Sequence, residues 1–206
     1  MARTTLSLIL LSIIATQAMA QLSQTIELYT EKDCRGRKIR ISEQYVEDLG
    51  VLAWNDIAKS VSVTGGWILY EHGFYNRGSN SGTEFIANSD CTNLQYLPEK
   101  VSSLRFAGDK SNYRINSVTL YKSRYFQEDE EFTTQDLRNL NMQEQASFII
   151  TGKAGWTFYD RTNFQGNSIC VSPPNTDSPD PYFVPDMDQI LNIRFNSIRS
   201  IKLGCA

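Results

Sequence analysis

The 206-residue chain has one histidine, His72, and four cysteines with no CxxC pair among them. A single imidazole leaves no second candidate for a Ser-His or Cys-His arrangement and cannot complete a zinc site. The chain also lacks a basic excess. Twenty Lys and Arg face 23 Asp and Glu, and both signs are scattered. No basic stripe neutralises a phosphate backbone, which argues against nucleic acid as a partner. No N-x-Ser/Thr sequon occurs, so N-glycosylation is not expected. Helical periodicity is weak everywhere, with one turn at most between Asp48 and Ala58.

One apolar run exists, at the start. Arg3 is followed by Leu6 to Ala15 and then Ala18-Met19-Ala20, a small-x-small pattern. That run falls well short of the roughly 20 residues a spanning helix needs. It is expected to be a secretory signal peptide over residues 1–20, with a mature extracellular chain from Gln21. No later segment is long and apolar enough to span a bilayer. An oxidising compartment favours disulfides among Cys34, Cys91, Cys170 and Cys205. Two cysteines fall in each half, which favours Cys34–Cys91 and Cys170–Cys205. Four cysteines nevertheless allow three pairings, and the sequence does not choose between them.

Strand signals fill the rest. Runs such as Thr25-Ile26-Glu27-Leu28-Tyr29 and Ser60-Val61-Ser62-Val63-Thr64 alternate apolar and polar residues, bounded by Gly, Asn, Asp and Ser. Such alternation predicts an antiparallel sandwich with one wet and one buried face. The runs also repeat. The strand ending at Tyr29 returns as Ser117-Val118-Thr119-Leu120-Tyr121. The Gly-Trp segment ending at Tyr70 returns at Gly155 to Tyr159. Within each half a shorter period of about 40 residues separates Tyr29 from Tyr70 and Tyr121 from Tyr159, so the chain is a duplication of a duplication.

Each unit opens with an aromatic strand, turns sharply, and closes on a strand that begins with serine. Tyr159, Phe164, Gly166 and Ser200 give the fullest example. This aromatic-x4-aromatic-x-Gly pattern with a distant serine resembles the Greek-key motif of the βγ-crystallins. Glycine permits a positive φ in the folded hairpin, and the hydroxyl can tie the hairpin down. Unit one has Tyr29, Gly36 and Ser60, with Cys34 at the second aromatic position. Unit two has Tyr70, Tyr75 and Ser103, with Gly78 one residue late. Unit three has Tyr121, Phe126 and Ser147, with Glu128 in place of glycine. The resemblance implies an all-β protein of two βγ-crystallin-like Greek-key sandwich domains, each of two motifs, over residues 21–109 and 110–206. The boundary is expected near Gly108 to Asn112. Each sheet should borrow a third strand from the partner unit, which places Cys91 in the sheet of Cys34 and supports that pairing. Pro173 to Pro185 is expected to be a surface loop.

The same resemblance raises calcium. Many relatives bind it through a loop of the form Asn/Asp-Asn/Asp-x-x-Ser/Thr-Ser, completed by a carbonyl from the partner unit's hairpin. In unit one Asn55 and Asp56 fit, but Lys59 takes the hydroxyl position. Unit two keeps Glu99 and Ser102 and has Pro98 first. Unit three reads Met142 to Ser147, with Gln143 second and Ala146 at the hydroxyl position. Unit four reads Phe195 to Ser200, with Asn196 second and Arg199 at the hydroxyl position. Two weak sites are implied: Asn55 and Asp56 with the Glu71 carbonyl, and Glu99 and Ser102 with the Thr30 carbonyl. Otherwise the loops are vestigial, and Lys59 and Arg199 stand in for the cation.

No catalytic residues are expected: His72 reads as an exposed hairpin side chain. The leading expectation is a secreted, non-catalytic structural protein. It would carry no cofactor other than weakly held calcium, and its partners would be other extracellular proteins or copies of itself. The alternatives are a defence protein or proteinase inhibitor acting through surface loops such as Pro173 to Pro185, and a glycan binder using Tyr75, Tyr125 or Tyr182. Expression through a secretory pathway should yield a mature protein beginning at Gln21, checked by intact mass; a retained Met1 would contradict the signal assignment.

Overall fold

A computed structural model describes residues 22–188 and 198–205; the proposed signal peptide lies outside them. In the first half β1 (Thr25–Tyr29), β2 (Lys38–Ser42), β3 (Ser60–Tyr70), β4 (Thr83–Asn93) and β5 (Ser103–Phe106) form one antiparallel assembly. In the second half β6 (Ser117–Tyr121), β7 (Glu130–Thr133), β8 (Ser147–Thr151) and β11 (Tyr182–Val184) form one sheet. There β9 (Trp156–Arg161), β10 (Gln165–Val171) and β12 (Ser200–Leu203) form the other. The structure is thus nearly all-β, as the alternating runs require. The one helical turn near Asp48 is a 3-10 turn over Leu49–Leu52, capped by Asp48, whose carboxylate accepts from the Gly50 amide.

β3 belongs to two units. Its first half pairs with β1, Tyr29 opposite Ser60, while its second half pairs with β5, Tyr70 opposite Ser103. The chain bends between them at Gly65, φ 86°, where a Cβ would collide with the Gln24 side chain. That glutamine bridges the bend, accepting from the Gly66 amide at 3.0 Å and donating to the Ala107 carbonyl. β4 divides likewise. Thr83 to Ala87 lies along unit two's own strand, and Ser89 to Asn93 crosses to pair with unit one. Val46 of unit one returns the exchange by bridging Leu104. In the second half β11 of unit four joins β8 of unit three, and Leu137 bridges Ile201. Each pair of units therefore shares one core. One core gathers around Trp67, Leu28, Leu49 and Leu104, and the other around Trp156, Phe158, Phe148 and Ile201.

The four hairpins are closed by one recurring contact. Ser60, Ser103, Ser147 and Ser200 are fully buried first residues of β3, β5, β8 and β12. Each hydroxyl accepts an amide at 3.0–3.1 Å, from Cys34, Tyr75, Phe126 and Phe164 respectively. Each also donates to a carbonyl at 2.5–2.6 Å, that of Glu31, His72, Ser123 and Arg161. The hairpin then turns back onto the residue after the first aromatic. It does so three residues beyond Cys34, Phe126 and Phe164, through Arg37, Asp129 and Asn167. In unit two it does so at Gly82, seven residues beyond Tyr75. Gly78 is therefore not a displaced motif glycine. It sits in a longer loop, with nothing near where its Cβ would be. Glu128 does occupy the glycine position, at φ 64° beside 80° for Gly36 and 85° for Gly166.

Both disulfides fall within a half. Cys34–Cys91 and Cys170–Cys205 have Cα separations of 5.9 and 5.4 Å, inside the usual range. Cys91 lies on the crossing half of β4, so the first bridge fastens the unit-one hairpin to the exchanged strand. The Pro173–Pro185 segment is only partly a surface loop. Pro174 to Asp177 is exposed, but Pro181 is buried and the segment ends in β11.

A third apolar cluster, Ile68, Tyr70, Ala107, Tyr121, Phe126 and Ile149, joins the halves. Arg105, its side chain 3% exposed, lies at its edge. The guanidinium donates to the Tyr70 hydroxyl at 2.8 Å and to the Glu128 and Phe126 carbonyls, and it pairs with Glu130 at 3.3 Å. The Tyr75 and Tyr121 rings lie 4.6 and 4.8 Å from it. Burial and the Glu130 carboxylate push the Tyr121 hydroxyl well above its ordinary pKa, so it stays neutral beside the cation.

Urea unfolding should therefore show Ser103→Ala or Ser147→Ala losing about 1–3 kcal/mol, because two buried backbone groups lose their partner. Glu128→Gly should gain about 1 kcal/mol by relieving the left-handed backbone. Arg105→Leu should lose about 3–5 kcal/mol, the cost of stranding a buried partner; an unchanged midpoint would show that the junction is not structural.

Candidate metal centre

The strand exchange brings two loops of the first half face to face. The Asp56 amide donates to the Val101 carbonyl and the Glu99 amide to the Ala58 carbonyl, so each loop is hydrogen-bonded to the other. Lys59 and Ser102, four-fold equivalents in the motif, donate their amides to the carbonyls of their own first aromatics, Tyr29 and Tyr70. Consequently each cluster combines the second loop position of one unit with the fifth position and hairpin carbonyl of the other.

The first cluster holds Asp56, Ser102 and the Glu71 carbonyl. The Ser102 hydroxyl donates to that carbonyl at 2.8 Å and lies 3.3 Å from an Asp56 carboxylate oxygen. The Asn55 side-chain amide donates to the other Asp56 oxygen at 2.7 Å and orients it. The Glu71 carboxylate also turns elsewhere, accepting from the Gly82 amide at 2.8 Å, with Lys100 3.6 Å away. The Gly82 amide, aided by Lys100, holds the Glu71 carboxyl below its ordinary value. Three oxygens of three kinds therefore converge, all of them types a hard cation accepts. They are fewer than the six to eight that calcium takes, and carry one charge, so water would complete the shell.

The second cluster differs from the grouping implied by resemblance. Glu99 meets Lys59, not Ser102, with the ammonium 3.0 Å from the carboxylate. The Thr30 hydroxyl accepts from the Arg37 amide at 3.0 Å within its own hairpin. The charge that a dication would supply here comes from the chain itself. The second half repeats this. The Arg199 guanidinium donates to the Gln143 amide oxygen, and Ala146 offers no hydroxyl. Phe195, Asn196 and Ser197 lie outside the described residues. Among the described residues no three of His, Cys, Asp and Glu cluster as a metal set.

The acidic run is similarly committed to structure. Glu128 faces Lys122 at 3.6 Å, Asp129 pairs with Arg77, and Glu130 pairs with Arg105. Glu131 accepts from the Asn141 and Met142 amides. The His72 side chain is exposed, and its main chain is held by Asn76 and Ser103. What the sequence missed was the insertion in the unit-two hairpin and the Arg105 junction. A lone arginine in a strand carries no local signal of burial.

Two paired Greek-key units, closed by serine-bound hairpins and exchanging their third strands, define the fold of the βγ-crystallins. Geodin, a βγ-crystallin from Geodia cydonium, superposes at TM-score 0.64 with 19% identity, over 87% of this chain and 98% of its own. An archaeal βγ-crystallin matches at TM-score 0.36 and 20% identity, over 43% of this chain and 98% of its own. One from Ciona intestinalis matches at 0.30 and 22%, over 40% and 98%. At such scores the last two add nothing to the assignment of fold. No family model and no curated protein matches the chain.

Acidification tests the local electrostatics. A carboxyl whose folded pKa is depressed contributes stability that is present above its unfolded value and lost as pH falls. Glu71, and Glu27 beside Tyr29 and Lys38, are both depressed from 4.5. Stability should therefore decline below about pH 4.5, and Glu71→Gln should flatten that slope in urea titrations at successive pH values; an unaltered slope would remove Glu71 from the account.

Proposed function

We propose that the chain is a secreted, non-catalytic extracellular protein whose durable two-domain βγ-crystallin-like fold is itself the working part. The observation that carries this is the replacement of ligands by internal cations, Lys59 on Glu99 and Arg199 on Gln143. A chain that supplies its own positive charge at these positions holds its loops closed without a metal. One cluster, Asp56 with Ser102 and the Glu71 carbonyl, retains oxygen chemistry suited to weak calcium binding. Its partners would be other extracellular proteins or further copies of itself. The two disulfides suit an oxidising compartment. Among the described residues no helix is long and apolar enough to cross a membrane.

The alternative, a defence protein or proteinase inhibitor, draws on the Pro173–Pro185 loop. Its exposed stretch near Pro174 is held at both ends, by the Cys170–Cys205 bridge and by Pro181 packed at Gly66. A pre-shaped loop of this kind loses little entropy on docking.

Calorimetric melts in EDTA and in calcium test the main proposal. With a dissociation constant on the order of 1 mM, 1 mM calcium should stabilise by about 0.4 kcal/mol, a rise in Tm of about 1–2 °C, abolished by Asp56→Asn. A rise beyond about 5 °C, or any rise traced to the second half, would overturn it. A protease inhibition panel, run with the wild type and with residues 174–180 replaced by a Gly-Ser linker, decides the alternative.

A further inference from the structure

The longer unit-two hairpin has a consequence beyond its own unit. It forms one wall of a cleft of about 680 Å³ between the halves, and the unit-three hairpin forms the other. That size falls in the ordinary range for small-molecule sites, which favour domain junctions. The inserted wall contributes Ser79, Asn80 and Ser81, and the facing wall contributes Tyr125, Lys122 and Gln127.

The walls are fixed relative to each other. Gln127, 5% exposed, donates from its amide to the Ser81 carbonyl and the Thr83 hydroxyl, both at 3.2 Å. The Arg77–Asp129 ion pair spans the same junction. Tyr125 stands at the hairpin tip, its amide held by the Pro185 carbonyl at 2.7 Å and the residue 48% exposed. The cleft is therefore preformed, with one accessible aromatic face opposite hydroxyl and amide groups.

Charge narrows the ligand class. Arg124 is neutralised by Asp186 at 3.2 Å and Asp188 at 2.9 Å, and Lys122 by Glu128 at 3.6 Å. An anion would have to displace these carboxylates. A pyranose ring instead offers C–H faces to a tyrosine and hydroxyls to amides and serines, matching both walls without disturbing the ion pairs. We infer that this interdomain cleft is a binding site for a neutral oligosaccharide, with Tyr125 as the stacking platform and Asn80 as a polar contact.

Saturation-transfer NMR and titration on the mature chain, with cellotetraose, chitotetraose, mannotetraose and a heparin tetrasaccharide as probes, test this. At least one neutral tetrasaccharide should bind. Tyr125→Ala should weaken it about tenfold, the loss of a good aromatic contact. Asn80→Ala should weaken it about threefold, a typical value for one neutral hydrogen bond. Tyr96→Ala, at an exposed tyrosine outside the cleft, should change nothing. Urea midpoints would confirm that the variants fold, and Asn80→Ala decides the matter if Tyr125→Ala does not. Failure of every neutral probe, binding of heparin alone, or equal loss in Tyr96→Ala would overturn the assignment.

Discussion

The structure depends on one buried hydroxyl used four times. Ser60, Ser103, Ser147 and Ser200 each satisfy an amide and a carbonyl that a sharply folded hairpin strips from the strand ladder. Those groups are hidden from water, so an apolar residue at any of the four sites would orphan both. Because each serine opens a strand some 20 to 40 residues downstream, the contact also fixes where that strand begins. Hairpin, strand register and sheet thus settle together.

Strand exchange follows from what the hairpins leave uncovered. A single unit has one apolar sheet face and an open edge, and the partner's third strand closes the edge while its sheet covers the face. The glycine bend at Gly65 lets one continuous strand serve both sheets, at the cost of a pairing break that Gln24 repairs. Between the halves the logic is different. There a charged residue is buried, and Arg105 is tolerated because carbonyls, a carboxylate and aromatic faces replace its water. Such a junction specifies one mutual orientation of the halves more strictly than apolar packing alone, and the cleft beside Tyr125 inherits that rigidity.

The four loops that precede the motif serines share one backbone contact although their side chains differ. The amides of Lys59, Ser102, Ala146 and Arg199 all donate to the carbonyls of Tyr29, Tyr70, Tyr121 and Tyr159. The side chain at the fifth loop position is a cation at Lys59 and Arg199, a hydroxyl at Ser102 and a methyl at Ala146. An internal ammonium on Glu99 supplies locally the attraction that a bound cation would, and it does so without ordering free ions or water.

Alternating runs, the fourfold Tyr-to-Ser spacing and Cys34 at an aromatic position are local patterns, and they determined the strands, the duplicated units and the four hairpin contacts. The pattern also placed Glu128 at a position whose backbone proves left-handed. It misjudged Gly78, because spacing along the chain cannot distinguish a shifted glycine from a longer loop. It grouped Ser102 with Glu99, because motif positions read one unit at a time do not reveal that facing loops trade partners. Only the tertiary structure decided which oxygens converge at Asp56, why Arg105 can be buried, and where the Pro181 end of the long loop rests. The physical reason is the same in each case. These contacts join segments tens of residues apart, and their energies depend on which groups the exchanged strands bring within hydrogen-bonding distance.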